Sequence, residues 1–118
     1  MNSPQAIAHR YLAAWNEREP GARRAQVAAI FAAESSYIDP MMRGAGIDGI
    51  DAMIGAAQQH FPAHCFALRG TPDGHNDVVR FAWTLFAPDG KAVAHGLDIA
   101  TVTLEGRLAD VTGFLDQA

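Results

Sequence analysis

The chain has 118 residues, of which 49% are hydrophobic and 19% charged, and its net charge at pH 7 is −4. This composition excludes a disordered chain and predicts a single folded domain over residues 1–118. The basic residues are scattered apart from Arg23 and Arg24, so we expect no nucleic-acid-binding face. No apolar run approaches the roughly 20 residues of a membrane-spanning helix, so we expect no membrane association.

Two features of the sequence bear on the compartment. Cys65 is the only cysteine, so no intrachain disulfide can form. The first residues lack the basic start and the apolar run of a secretory signal. Both features favour a cytoplasmic location.

The first helix is predicted to begin at Ser3, a hydroxyl cap followed by a proline at the first helical position. Ile7, Tyr11 and Trp15 recur four residues apart, which places them on one apolar face. The Glu-Pro-Gly sequence at 19–21 is expected to end this helix.

A second helix is predicted next, again from the spacing of its apolar residues. Val27, Ile30 and Phe31 are expected on its inner face. Arg23 and Arg24 are expected on its outer face, toward solvent.

A short strand and a third helix follow. Residues 35–40 are typical of a strand stopped by a proline, and residues 44–46 of a flexible connection. Asp48 is expected to cap the third helix, which a Phe-Pro pair at 61–62 ends. The buried stripe of this helix is predicted to be Ile50, Met53, Ile54 and Ala57.

After residue 62 the pattern changes to four strands, predicted at about 63–71, 77–87, 92–104 and 107–116. Asp73-Gly74, Pro88–Gly90 and Glu105-Gly106 are hairpin signals between them. The run Val78–Phe86 is apolar on both faces, and large apolar patches seldom stay exposed. Because the helices cover only one face, we expect a homodimer through the other face of the sheet.

The element order α-α-β-α-β-β-β-β and three local phrases carry a family resemblance. Arg10–Asn16, Tyr37–Pro40, and Gly96–Ala100 followed by Gly106–Leu108 are similar to phrases of the nuclear transport factor 2-like superfamily, and within it of the SnoaL-like proteins. The resemblance implies a cone-shaped α+β barrel, with three N-terminal helices packed on a curved, mostly antiparallel sheet. That fold hosts isomerases, cyclases, dehydratases, epoxide hydrolases and binding modules.

Among these, the ketosteroid isomerases match most closely. The resemblance implies that Tyr11 donates to a substrate oxyanion, that Asp39, which precedes Pro40, is the general base, and that Asp98 is a protonated second donor. Some of these isomerases carry a supporting tyrosine on the third helix, where this chain has Ile54. Arg80 has no counterpart in that mechanism.

The residues themselves are compatible with these roles. Asp98 shares a strand face with small or apolar residues, which penalise an ionised carboxylate, and Asp39 lies at a strand end nearer to solvent. Structural alternatives remain open for all three residues. Asp39 could accept backbone N–H bonds near its proline, Asp98 could pair with Arg80, and Tyr11 could be core.

The remaining predicted site residues form the wall of an apolar pocket for a hydrophobic small molecule. They are Trp15, Met53, Ile54, Phe61, Phe81, Trp83, Val111 and Gly113.

Five histidines raise the question of a metal. His60 and His64 are separated by the helix end, and His95 has the opposite strand parity to Asp98. No His-Glu-x-x-His sequence or glycine-rich phosphate loop is present, so neither a metal nor a cofactor is expected.

Three functions fit the sequence. The preferred one is a cofactor-independent isomerase or cyclase that abstracts a proton next to a carbonyl. The alternatives are a binding module that uses the same cavity without chemistry, and a dimeric interaction domain.

Overall fold

The computed structural model describes residues 3–116, which form an α+β fold in the predicted order with one additional strand. Met1 and Asn2, which belong to the segment where no secretory signal is expected, lie outside this range. The elements are α1 (Pro4–Asn16), α2 (Pro20–Ile30), β1 (Phe31–Ile38), β2 (Arg43–Ala45), α3 (Gly46–His60), β3 (Cys65–His75), β4 (Val78–Phe86), β5 (Ala92–Val102) and β6 (Leu108–Leu115).

The helix starts follow from capping chemistry. Ser3 caps α1, since its Oγ accepts a hydrogen bond of 3.1 Å from the amide of Ala6. Glu19 caps α2 in the same way through the amide of Ala22. The Glu-Pro-Gly sequence expected to end α1 therefore begins α2.

Two predictions at the start of α3 are wrong. Residues 44–46 are not a flexible connection, because Arg43–Ala45 pairs with the end of β1 as an edge strand. Asp48 is not the cap: Ala45 occupies that position and Asp48 lies in the first turn. Gly46 has φ of 70°, a conformation that favours glycine, and it turns the strand directly into the helix.

The α2–β1 boundary also differs from the prediction. Phe31 is the first residue of β1, where it pairs with Leu108, rather than the last of the inner helix face. Arg23 does not point to solvent, since it makes an ion pair of 2.8 Å with Asp51 and its side chain is only 12% exposed. Arg24 pairs with Asp48 at the surface.

The six strands form one open mixed sheet in the order β2-β1-β6-β5-β4-β3. β1 and β6 are parallel, and every other neighbouring pair is antiparallel, as the sequential hairpins predicted. This parallel pairing brings the end of β1 beside the middle of β6 and therefore close to β5.

The turn predicted at Asp73-Gly74 is wrong. β3 continues through both residues to His75, and the chain reverses at Asn76, whose φ of 52° is accessible to asparagine. The strand accommodates its extra residues in an irregularity between Arg69 and Asp73, which includes Gly70 at φ of 73°.

The helices pack on one face of the sheet, with α1 against β3 and α3 against β1. Asn16 ties α1 to β3, because its side-chain amide donates to the Phe66 carbonyl at 2.9 Å and accepts from the Phe66 amide at 2.7 Å. These two hydrogen bonds position α1 over the sheet, which gives a structural reason for the asparagine at the end of the first-helix phrase.

None of the helices in residues 3–116 combines the length and apolarity that a membrane span requires.

Candidate functional site

A cavity of about 100 Å³ lies between α1, the end of α3 and the helix-facing side of the sheet. Its lining is mostly apolar, with a small number of polar groups, which is the usual composition of a small-molecule site. The lining residues are Tyr11, Leu12, Trp15, Arg18, Tyr37, Asp39, Met41, Met42, Ala57, Gln58, Phe61, His64, Phe66, Trp83, Leu85, Ala94, Asp98 and Leu115.

The structure brings the three predicted polar residues, Tyr11, Asp39 and Asp98, to this one cavity. Of the predicted wall residues, three line it and five do not. Trp15, Phe61 and Trp83 are in the wall. Met53, Ile54, Phe81 and Val111 are buried in the core instead of bordering the cavity, and Gly113 lies behind the two acids.

Asp98 is the deepest acid of the site. It lies in β5 between Phe81 of β4 and Gly113 of β6, and it is only 2% exposed. Burial raises the pKa of its carboxyl from 3.8 to about 6, the charge of Asp39 adds to this, and the side chains of Tyr11 and Trp83 oppose it. A carboxyl with a pKa in this range is suited to proton transfer or to hydrogen-bond donation.

Asp98 does not pair with Arg80, so that structural alternative is wrong. Arg80 and Asp98 lie on opposite faces of the sheet, and the guanidinium of Arg80 donates instead to Asp73 at 2.7 Å. Asp98 is therefore a buried acid without a basic partner among residues 3–116.

Asp39 is partly exposed and is held by three donors. Its Oδ1 accepts from the amides of Met41 and Met42 at 2.8 and 2.9 Å, the kind of backbone contact that the structural alternative for Asp39 describes. Its Oδ2 accepts a hydrogen bond of 2.6 Å from the hydroxyl of Tyr37. These donors orient the carboxylate, and Oδ2 retains a lone pair for a proton.

Tyr37 is a site residue that sequence reasoning missed. It lies two positions before Asp39, and residues two apart on a strand share a face. The spacing of two residues between Tyr37 and Asp39 could therefore have predicted Tyr37 as a site residue. Burial raises the pKa of Tyr37 above its usual value, and the nearby carboxylates of Asp98 and Asp39 contribute, so the phenol is a donor and not a phenolate.

Two glycines create the space for this arrangement. A Cβ at Gly113 would lie 2.8 Å from Oδ1 of Asp98, 3.1 Å from Cβ of Asp39 and 3.4 Å from the hydroxyl of Tyr37. These three groups therefore meet around one point. A Cβ at Gly96 would lie 2.2 Å from the Trp83 ring, so Gly96 lets that indole lie against β5.

Three buried polar atoms on the cavity lack a hydrogen-bond partner among residues 3–116: Oη of Tyr11, Nε1 of Trp15 and Oδ1 of Asp98. The Tyr11 hydroxyl is near enough to Asp98 to lower the pKa of that carboxyl, but the two groups do not meet hydrogen-bond geometry. Buried polar atoms normally have partners, so these three atoms are available to a polar ligand or to water in the cavity.

Arg18, Gln58 and His64 were also missed, and no sequence pattern could have indicated them. The guanidinium of Arg18 donates to the carbonyls of Gln58 and His64 at 3.0 and 2.6 Å, and it satisfies the end of α3. The Gln58 amide donates to the Trp15 carbonyl at 3.0 Å. These contacts hold the ends of α1 and α3 together at the cavity.

Within residues 3–116, no group of three or more His, Cys, Asp and Glu residues is arranged to hold a metal ion. His95 shares a hydrogen bond of 2.8 Å with Thr84 and is not part of the cavity. His64 is part of the cavity, and its Nδ1 lies 2.9 Å from the Pro62 carbonyl.

Solved structures resemble this chain over nearly its whole length. A provisionally named isomerase of the SnoaL-like family from Agrobacterium tumefaciens strain C58 is 49% identical, with a TM-score of 0.96 over 99% of this chain and 100% of that chain. A polyketide cyclase, also provisionally named, from Sinorhizobium meliloti is 18% identical, with a TM-score of 0.71 over 91% and 92%. A protein with a cystatin-like fold from Nostoc punctiforme PCC 73102 is 12% identical, with a TM-score of 0.75 over 97% and 89%. Neither a protein-family model nor a curated protein matches.

Proposed function

Because the chain belongs to the SnoaL-like family of nuclear transport factor 2-like proteins, we propose that its cavity is the active site of a cofactor-independent isomerase or cyclase. The reaction is proton abstraction next to the carbonyl of a small apolar substrate. One observation carries the proposal: three unpartnered polar atoms and an oriented carboxylate converge on the same apolar cavity. The isomerase name of the 49% identical relative supports the same reaction class.

In the proposed step, Oδ2 of Asp39 takes a proton from the carbon beside the carbonyl. The C–H bond breaks, its electron pair forms the enolate double bond, and the carbonyl oxygen becomes an oxyanion. The Tyr11 hydroxyl and the protonated carboxyl of Asp98 donate hydrogen bonds to that oxygen. If the substrate has a double bond beside that carbon, the enolate extends into a dienolate. Return of the proton from Asp39 to the far carbon of that double bond shifts the double bond and restores the carbonyl, which completes an isomerisation.

The size of the cavity restricts the substrate. Sites for drug-sized ligands usually measure about 300–1,000 Å³, whereas this cavity measures about 100 Å³. We therefore propose a substrate smaller than a steroid, such as a short or monocyclic ketone.

We also propose that the protein is cytoplasmic, because the exposed thiol of Cys65 stays reduced in that compartment.

The test uses deuterium exchange, which reports proton abstraction even without net isomerisation. Cyclohexanone in D₂O is incubated with the protein, and loss of the proton signals next to its carbonyl is followed by NMR. We expect Asp39→Asn to abolish the catalysed exchange while circular dichroism stays unchanged. Asp110→Asn is the matched control, because Asp110 is an exposed aspartate of β6 outside the cavity. Unchanged exchange in Asp39→Asn would refute Asp39 as the base.

A second candidate is a binding module that uses the same cavity. It is favoured by the three hydrogen bonds to Asp39, which give this residue a purely structural task. In that case ketones raise the melting temperature of the wild type and of Asp39→Asn equally, since a ligand that binds only the folded state stabilises it. No exchange is then catalysed.

We also propose that the face of the sheet opposite the helices forms a homodimer. Ile38, Val93 and Phe114 are 40%, 50% and 52% exposed. Phe114 lies opposite Leu97 on this face, and Ile38 opposite Thr112. A second copy would cover these side chains.

A further inference from the structure

Trp15 carries a polar atom that the proposed reaction leaves unused. Its side chain is 6% exposed, and the indole N–H has no acceptor among residues 3–116. A buried donor that has lost water without gaining an acceptor destabilises the protein. Phenylalanine would fill much of the same wall without this cost, so the N–H calls for an acceptor that enters with the ligand.

The indole is held rigidly. Its ring makes an edge contact with Phe66 at a centroid distance of 5.4 Å and a tilted contact with Tyr37 at 5.7 Å. The Trp15 carbonyl accepts a hydrogen bond of 3.0 Å from Gln58. A donor held in place before the ligand arrives loses little freedom on binding, so it contributes more to affinity and to charge stabilisation.

Trp15 and Tyr11 present two donors side by side. They are four residues apart on α1, their ring centroids are 6.3 Å apart, and both polar atoms are buried and unpartnered. Burial raises the pKa of Tyr11 well above its usual value, whereas the indole N–H of Trp15 lowers it, because an N–H close to the phenol oxygen stabilises the phenolate. A carbonyl oxygen has two lone pairs and accepts two such donors, and the oxyanion of the proposed reaction has a third lone pair that can accept from Asp98.

The charges of the cavity indicate which acceptor enters. Asp39 and Asp98 both line it, so a ligand carboxylate placed beside them would face two acids and be repelled. Arg18 also lines the cavity, but its guanidinium donates to the backbone carbonyls of Gln58 and His64. A neutral carbonyl oxygen avoids this repulsion and still satisfies both donors.

We propose that the indole N–H of Trp15 is a second donor to the carbonyl oxygen of the ligand, paired with the Tyr11 hydroxyl, and that this pair makes the cavity select neutral carbonyl compounds over hydrocarbons of the same shape. The inference rests on the proposed function in placing a carbonyl ligand in this cavity. It does not require that the ligand reacts.

The test compares cyclohexanone with methylenecyclohexane, which replaces the carbonyl oxygen by a CH₂ group. The chain has two tryptophans, so its ¹H–¹⁵N spectrum contains two indole N–H signals. We expect the Trp15 signal to move downfield on titration with cyclohexanone and to stay nearly unchanged with methylenecyclohexane. Equal responses to the two compounds would overturn the proposal.

Variants measure the size of the preference. Trp15→Phe is expected to weaken cyclohexanone binding by about 3- to 10-fold, as for the loss of one neutral hydrogen bond, and to leave methylenecyclohexane binding unchanged. Tyr11→Phe is expected to do the same. A Trp15→Phe protein that keeps the full ketone preference contradicts the proposal. If Trp15→Phe does not fold, the Trp83→Phe protein retains only the indole N–H signal of Trp15 and so assigns it. The response of that signal in the wild-type titrations then tests the proposal.

Failure of the proposed function is distinguishable from failure of this inference. If Asp39→Asn retains exchange but the Trp15 signal responds only to the ketone, the catalytic assignment of Asp39 fails and the donor pair stands. If Asp39→Asn abolishes exchange while the Trp15 signal ignores the ketone, the donor pair fails and the base stands.

Discussion

The hydroxyl of Tyr37 donates a hydrogen bond of 2.6 Å to Oδ2 of Asp39, two residues further along the chain. The chain's other tyrosine, Tyr11, is equally buried but its hydroxyl has no partner among residues 3–116. One phenol is therefore committed to holding a carboxylate, whereas the other is available to a ligand. This difference between two buried tyrosines makes them a matched pair for mutagenesis.

Tyr37→Phe is expected to destabilise the protein by about 1.5–3 kcal/mol, because it removes a hydrogen bond to a charged group. Tyr11→Phe removes a hydroxyl without a protein partner and is expected to leave stability unchanged or to raise it. Urea unfolding at pH 7 measures both free energies of unfolding. Equal losses in the two variants would mean that the Tyr11 hydroxyl is bonded within the folded protein.

The pKa of Asp98 predicts a pH dependence of stability. Folding raises this pKa from 3.8 to about 6, so the contribution of Asp98 favours the folded state below about pH 4 and is lost as the pH rises through 6. The full difference corresponds to about 3 kcal/mol.

Asp98→Asn, which cannot ionise, is therefore expected to exceed the wild type in stability at pH 8 by up to about 3 kcal/mol and to match it near pH 4. Urea unfolding at the two pH values provides the measurement. Asp110→Asn, on the exposed side of β6, serves as the control. A constant difference between Asp98→Asn and wild type across this range would contradict the burial argument.

The same group predicts the pH dependence of the proposed reaction. Asp98 donates to the oxyanion only when protonated, so catalysed deuterium exchange is expected to fall about tenfold per pH unit above about pH 6. Asp98→Leu, which has no donor, should lose roughly 10²–10³ in rate. Asp98→Asn keeps an N–H donor and does not ionise, so it should lose the descending limb. A rate that instead rises through pH 6 would identify Asp98 as the base.

Gly113 provides a steric prediction. Gly113→Ala places a methyl group 2.8 Å from Oδ1 of Asp98, so the carboxyl must shift away from the point it shares with Tyr37. We expect catalysed exchange to fall at least about tenfold, since small displacements of catalytic groups have large effects on rate. Gly49→Ala is the control, because a Cβ at Gly49 in α3 meets nothing within 4 Å. The Gly49→Ala variant should stabilise the helix by about 1 kcal/mol. Normal exchange in Gly113→Ala would show that the site does not depend on this contact.

The outer face of the sheet predicts the oligomeric state. Sedimentation equilibrium at micromolar concentration is expected to give twice the chain mass of 12.6 kDa. Phe114→Glu should shift it to the monomer, because it places a charge among apolar side chains on that face. Leu104→Glu, at a turn position where the side chain is fully exposed, should leave the dimer intact. A wild-type monomer at this concentration would contradict the dimer proposal.

Local sequence patterns were sufficient where the structure depends on neighbours in the chain. Capping chemistry predicted the helix start at Ser3. Helical and strand periodicity predicted the inner faces that carry Tyr11, Trp15 and Asp98, and these three side chains line the cavity. Local patterns failed where a distant partner decided the outcome. Arg43–Ala45 forms a strand because it pairs with the edge of β1. β3 continues through Asp73-Gly74 because β4 pairs with both residues.

By itself, the sequence determined the α+β class and the order of the predicted elements, because both depend on spacing within single helices and strands. Its family resemblance selected the three polar residues that reach the cavity. Only the tertiary structure decided that Asp39 accepts three hydrogen bonds whereas Oδ1 of Asp98 has no partner among residues 3–116. The donors to Asp39 come from the strand before it and the loop after it, whereas the surroundings of Asp98 come from α1, β4 and β6. Three segments distant in sequence must pack together before the burial that raises the pKa of Asp98 exists, and no local pattern encodes that burial.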